Sequence, residues 1–158
     1  MKLRFFHRNK FRFFFVFIIC SFFLINEGFS QNIDSQSKLS SVAFVQGAEA
    51  FKKGEWISSV FLFRKALTYS ENYNAETLYM LITAEMYAGE YKSAFNDCEQ
   101  FIQNFYDSPY ISYILYHKGR ALFYLGEYEK AILVLSDYCH QYPEHEMYAA
   151  ALFWIAES

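Results

Sequence analysis

Three short stretches decide how this chain is read: Gly54-Glu55-Trp56, Gly89-Glu90-Tyr91 and Gly126-Glu127-Tyr128. They lie 35 residues (89 − 54) and 37 residues (126 − 89) apart. A Gly–acidic–aromatic triplet recurring at such a period marks stacked helical hairpins, each triplet being the turn between two helices. Glycine takes the positive φ that ends the first helix, the carboxylate favours the N-terminus of the second, and the ring packs between them. Three residues beyond each ring come Ser59, Ala94 and Ala131, small side chains where paired helices cross closely. Working outward from the turns, the apolar spacing predicts helices over 37–53, 55–69, 75–88, 90–105, 109–125, 127–141 and 145–158. No strand is needed, and the fold class is an all-α solenoid of antiparallel hairpins.

Composition agrees. The 158 residues include only 6 Gly and 2 Pro, too few for a collagen-like or low-complexity chain or for the frequent turns of an all-β domain. The first 30 positions differ from the rest, holding 10 of the 19 Phe and 5 of the 14 basic residues. Lys2, Arg4, Arg8, Lys10 and Arg12 precede an uncharged apolar run from Phe13 to Ile25. That run spans roughly 20 Å as a helix, short of a membrane core of about 30 Å, so residues 1–30 read as an export signal cleaved after Ser30. An uncleaved anchor through residues 13–25 is the alternative. Ile18 and Ile19 before Cys20 are not the small residues that lipid attachment there would want. Residues 31–39 read as a flexible lead-in, and the destination is the periplasm or cell envelope.

Without the first 30 residues, 9 basic and 16 acidic side chains remain, a net charge of −7 with no basic cluster. Such a surface repels a phosphate backbone, so nucleic acid is not an expected partner. Cys98 and Cys139 both fall on helical patterns, where a buried free thiol is the expected state and a bridge the alternative.

With each triplet glycine at position 15 of a 34-residue unit, the chain resembles the tetratricopeptide repeat family, with units at about 40–74, 75–111 and 112–148 and a partial one at 149–158. Gly47 and Gly119 occupy the small position 8, Ser59, Ala94 and Ala131 position 20, Ala66 position 27 and Pro143 position 32. Trp56, Tyr91 and Tyr128 are the turn aromatics. The second unit departs: Ile82 stands at position 8, with Cys98 and Phe101 further on, so its helices are expected to sit further apart. The junctions Asp107-Ser108-Pro109-Tyr110 and Gln141-Tyr142-Pro143 are similar to envelope members of the family, namely the Tol-Pal cell-division coordinator and the outer-membrane β-barrel assembly lipoprotein. There Ser108 would cap a helix whose first turn holds Pro109.

The resemblance implies a right-handed superhelix of about three and a half repeats, whose concave wall is lined by the first helix of each unit and binds protein. At the wall positions the residues are largely aromatic, and Phe44, Tyr79, Tyr116, Arg120 and Tyr124 are the candidate partner contacts. The lysine-and-asparagine clamp of chaperone-binding members is not present at those positions, so an apolar or aromatic segment is the expected ligand. Many of these rings would also serve simply to pack repeat on repeat.

No nucleotide loop, paired-histidine metal helix or nucleophile elbow is found, so no enzyme activity, cofactor or metal is expected. Cys139, His140 and His145 straddle Pro143 and read as a solvated junction, and His117 as a partly exposed groove residue. Two other readings stay open: a membrane-tethered assembly factor, and the N-terminal repeat part of a longer cell-wall enzyme. Leu152, Phe153, Trp154 and Ile155 lack a following helix to pack on, which favours a chain that continues beyond Ser158.

Overall fold

The computed structural model describes residues 35–69 and 74–158, and within them every regular element is helical. The expected signal of residues 1–30 and the anchor alternative at 13–25 lie outside the described residues. So do positions 31–34 of the expected lead-in, but its remaining residues are helical from Ser35 onward. The run of polar side chains there does not prevent a helix whose later turns pack against its neighbour.

Helix α1 covers 35–52. It is followed by α2 (Trp56–Tyr69), α3 (Ala75–Ala88), α4 (Tyr91–Asn104), α5 (Ile111–Tyr124), α6 (Tyr128–Gln141) and α7 (Tyr148–Glu157). Each helix packs on the next, and α3 also touches α5 as α5 touches α7. The first helices of successive units thus form one continuous wall. Among the described residues no helix is long and apolar enough to cross a membrane.

All three triplet glycines adopt positive φ, 76° at Gly54, 79° at Gly89 and 77° at Gly126. A side chain in that left-handed region is strained, whereas glycine is not. The following amide closes each turn the same way: Glu55 N–H donates to Ala50 O, Glu90 to Glu85 O and Glu127 to Leu122 O, at 2.9–3.0 Å. The acidic side chains make no capping hydrogen bond at Glu90 or Glu127. Glu127 instead pairs with Lys130 at 2.9 Å. The small residues Ser59, Ala94 and Ala131 are all fully buried where the helices cross. Ser59 Oγ also donates to the Gly47 carbonyl at 3.0 Å, which satisfies a hydroxyl that burial would otherwise penalise.

The core runs continuously through the first two hairpins around Phe63, Leu78, Leu81, Ile82, Cys98, Phe101 and Ile114. Each large side chain fully buried here contributes about 1.5–3 kcal/mol of transfer free energy. Leu135, Tyr138 and Ala151 carry the core into the third hairpin and α7.

Two helix starts fall later than the sequence suggests. Helix α5 begins at Ile111, not 109, because Ser108 and Pro109 form a separate turn in which Ser108 Oγ accepts the Tyr110 N–H at 3.3 Å. Helix α7 begins at Tyr148, not 145, and the reason is His145. That histidine is no solvated junction residue: its Nδ1 accepts the Met147 N–H at 3.2 Å and lies 2.7 Å from Tyr138 Oη, while Nε2 is 3.0 Å from Ser112 Oγ. An Nδ1 that accepts an amide proton leaves the ring proton on Nε2, so the imidazole ties α5, α6 and the start of α7 together. Cys98 is buried and Cys139 half-buried, and both are free thiols.

Candidate partner-binding groove

Ring stacking between repeats organises the wall. The aromatic residue of each of the first two hairpin turns stacks on a tyrosine near the end of the next unit's first helix. Trp56 lies 4.8 Å from Tyr87 at 21°, and Tyr91 lies 4.2 Å from Tyr124 at 8°. These residues are one unit apart in sequence, so the ladder fixes how each repeat sits on the one before it. Such pairs add about 0.5–1.5 kcal/mol beyond their burial. Trp56 additionally meets Phe51 of its own hairpin edge-on at 4.9 Å, the within-hairpin role foreseen for it, and Tyr128 meets Phe123 at 5.5 Å.

The five candidate contacts are not equivalent. Phe44 is half-buried against Phe63 at 5.6 Å and belongs mainly to the core of the first hairpin. Tyr79 stacks face to face on Tyr110 at 4.7 Å and meets Tyr113 at 5.7 Å, and burial raises its hydroxyl pKa. Tyr116 is only 6% exposed, so its ring is not a free contact. It is held inside by α7, where Trp154 Nε1–H donates to its hydroxyl at 3.2 Å. Tyr124 remains 41% exposed although one face is taken by Tyr91. Arg120 is half-buried, with its guanidinium 5.5 Å from the Tyr116 ring centre and 5.4 Å from that of Trp154.

The structure therefore gathers Tyr116, Arg120 and Tyr124 around one residue the sequence reading did not single out, Trp154, which lies 5.4 Å from the Tyr124 ring and 5.0 Å from Phe123. The available signal was positional: Trp154 sits on the first helix of the fourth unit, which must face the wall positions of the third. Tyr79 stands apart with Tyr110 and Tyr113, and Phe44 apart again.

His117 is not partly exposed: it is 7% accessible between α3 and α5. Burial, and then the nearby Arg120 charge, hold its pKa down to about 3, so the ring is neutral. Its Nε2 is 3.5 Å from Thr83 Oγ1, and its Nδ1 has no hydrogen-bond partner.

A second polar feature lies where the second unit meets α2. Glu85 is fully buried, at a place where the other two units carry Ala50 and Leu122. Arg64 Nη2 donates to Glu85 Oε1, and the same nitrogen is 3.7 Å from Asp97 Oδ2. Glu85 Oε2 and Asp97 Oδ2 are both buried acceptors without a partner. One proton on Glu85 satisfies both by bridging to Asp97. Burial first, then the Asp97 charge, raise the Glu85 pKa to about 9 against the opposing pull of Arg64.

No family model matches the sequence, and no curated protein matches it either. Solved structures do match. The Arabidopsis OM64 TPR domain superposes with a TM-score of 0.66 at 17% identity, over 77% of this chain and 98% of that one. The second TPR domain of human RPAP3, in complex with an HSP70 peptide, gives 0.62 at 18% identity over 79% and 96%. The first TPR of Spaghetti (RPAP3), bound to an HSP90 peptide, gives 0.64 at 18% identity over 77% and 93%. The chain has the tetratricopeptide repeat fold.

Proposed function

We propose that this protein is a non-catalytic protein-interaction scaffold of the cell envelope, which holds a segment of a partner protein along the wall formed by the first helices of its repeats. The observation that carries this reading is the wall itself: partly exposed rings at Tyr79, Tyr124 and Trp154, with a cation, Arg120, set among them. Rigid aromatic side chains with one charged anchor suit an extended or helical protein segment. The likeness to domains solved with HSP70 and HSP90 peptides supports a peptide as the class of ligand. The basic, then apolar, leader of residues 1–25 supports export, and the junction sequences around Pro109 and Pro143 support an envelope role.

The test compares partners retained from envelope extracts by the wild type and by Tyr79→Ala plus Tyr124→Ala, two residues less enclosed than Tyr116. Identical partner sets would reject the wall as the binding surface. N-terminal sequencing of the exported protein tests the compartment, and a mature start at Gln31 is expected.

A further inference from the structure

Helix α1 packs two of its sides and leaves a third bare. On one side it meets α2, where the Gly47 carbonyl accepts from Ser59 Oγ and Ser40 Oγ donates to the Ala66 carbonyl at 2.8 Å. On the next side Phe44, Ala48 and Phe51 pack into the core shared with α3, and Phe51 meets Tyr87 edge-on at 5.7 Å. The remaining side carries Lys38, Val42, Val45 and Glu49, all exposed, the two valines at 46% and 54%. Their spacings of 4, 3 and 4 residues are those of a helix-pairing seam, which keeps the four side chains on one stripe. Leu39, 49% exposed, adds to the bare aliphatic surface of the same helix. Apolar clusters rimmed by polar residues are where proteins associate. Among the described residues neither Lys38 nor Glu49 has an ion pair of its own.

We propose that this stripe seats a second copy of the chain, α1 against α1, antiparallel about a two-fold axis. The stripe is complementary to itself in that direction. With Val42 of each copy opposite Val45 of the other, Lys38 of each falls opposite Glu49 of the other, because both pairs are centred between residues 43 and 44. Two aliphatic contacts then lie inside two ion pairs, which is the order of an interface core and its rim. A parallel pair would instead set lysine on lysine and glutamate on glutamate, so the charges select the direction of pairing. A two-fold contact also uses the same surface on both copies and closes at two. Phe44 and Phe51 turn toward the core and α3, away from the seam, so pairing leaves the wall of each copy uncovered. On the protein-binding reading of that wall, the pair offers two binding surfaces to a partner with two suitable segments.

The experiment measures the mass of the exported protein by sedimentation equilibrium, from micromolar to sub-millimolar concentration. A monomer–dimer equilibrium that saturates at two copies is expected. Val42→Glu should abolish it while the circular dichroism spectrum stays that of the wild type, because the position is exposed. Lys38→Glu and Glu49→Lys, each alone, should weaken dimerisation about tenfold, since each places like charges opposite one another twice. Mixed together, these two variants should pair with each other at wild-type strength, and a chain carrying both changes should recover self-association. The charge exchanges alter only exposed side chains, so the test does not depend on one variant folding. The mass of one copy at every concentration would overturn the proposal. So would a dimer indifferent to Val42→Glu, which places the contact on another face, or a mass that climbs past two copies, as an open end-to-end stack gives. Single charge variants that dimerise like the wild type, or that fail to pair when mixed, would overturn the antiparallel register.

Discussion

The second and third hairpins solve one packing problem in opposite ways. In the third, Gly119 leaves room at the helix crossing for Leu135, and a Cβ there would overlap the Leu135 side chain. The first hairpin is built likewise, since a Cβ on Gly47 would come within 2.9 Å of the Phe63 ring. The second reverses the sizes: Ile82 replaces the glycine and Cys98 the large partner, both fully buried. Close crossing is therefore a property of paired volumes across two helices, not of one small residue.

The same hairpin differs in polarity. Glu85 and Asp97 occupy unit positions that hold Leu122 and Val134 in the third repeat, and their pairing with Arg64 replaces apolar packing. Position alone does not dictate an apolar residue, provided every buried acceptor finds a donor.

The largest expected effect breaks the reversed pair. Ile82→Gly empties a fully buried site and places glycine inside a helix, and should destabilise the protein by about 4 kcal/mol in urea unfolding. Adding Cys98→Leu should recover part of that loss by recreating the arrangement of the third hairpin. A double variant no more stable than Ile82→Gly would sink the paired-volume account.

Next comes the converse, Gly119→Ile, which should cost about 3 kcal/mol by overpacking, with Leu135→Cys restoring some of it. If Gly119→Ile unfolds at the wild-type urea concentration, the close crossing of the third hairpin is not what the glycine serves.

A smaller effect separates the hairpins by charge. Glu85 holds its proton up to about pH 9 when folded but releases it near its ordinary value of 4.5 when unfolded. Its contribution is present in full at pH below the lower value and is lost as pH rises toward the upper one. Glu85→Gln, which keeps a donor toward Asp97, should flatten that alkaline decline. An unchanged pH profile would mean that no proton is shared there.

The smallest effect concerns the turns. Gly126→Ala should cost about 1 kcal/mol, because a Cβ there meets nothing within 4 Å and only the positive φ resists it. Thermal denaturation that leaves this variant indistinguishable from wild type would show that the turn relaxes freely.

Much of this was legible in the chain itself. The period of the triplets, the glycine turns and the small crossing residues are local or recur at fixed spacing, and helix boundaries followed to within a few residues. The later starts of α5 and α7 were hidden because a Ser-Pro turn and the hydrogen bonds of His145 compete with helix at those places. The candidate contacts were read from their repeat positions, which do not report availability. Tyr116 and His117 are enclosed by α7 and α3 respectively, and Trp154, which organises the Arg120 site, comes from the next unit.

Sequence by itself determined the repeat, the turn geometry and the all-helical class, because each depends on residues within one hairpin and on a regular period. Tertiary structure alone decided which rings stack between repeats, which cation lies against two of them, and that a fully buried glutamate is tolerated. Those outcomes turn on contacts between side chains about 20 to 40 residues apart, whose volumes and protons are settled jointly, and no single position announces its partner.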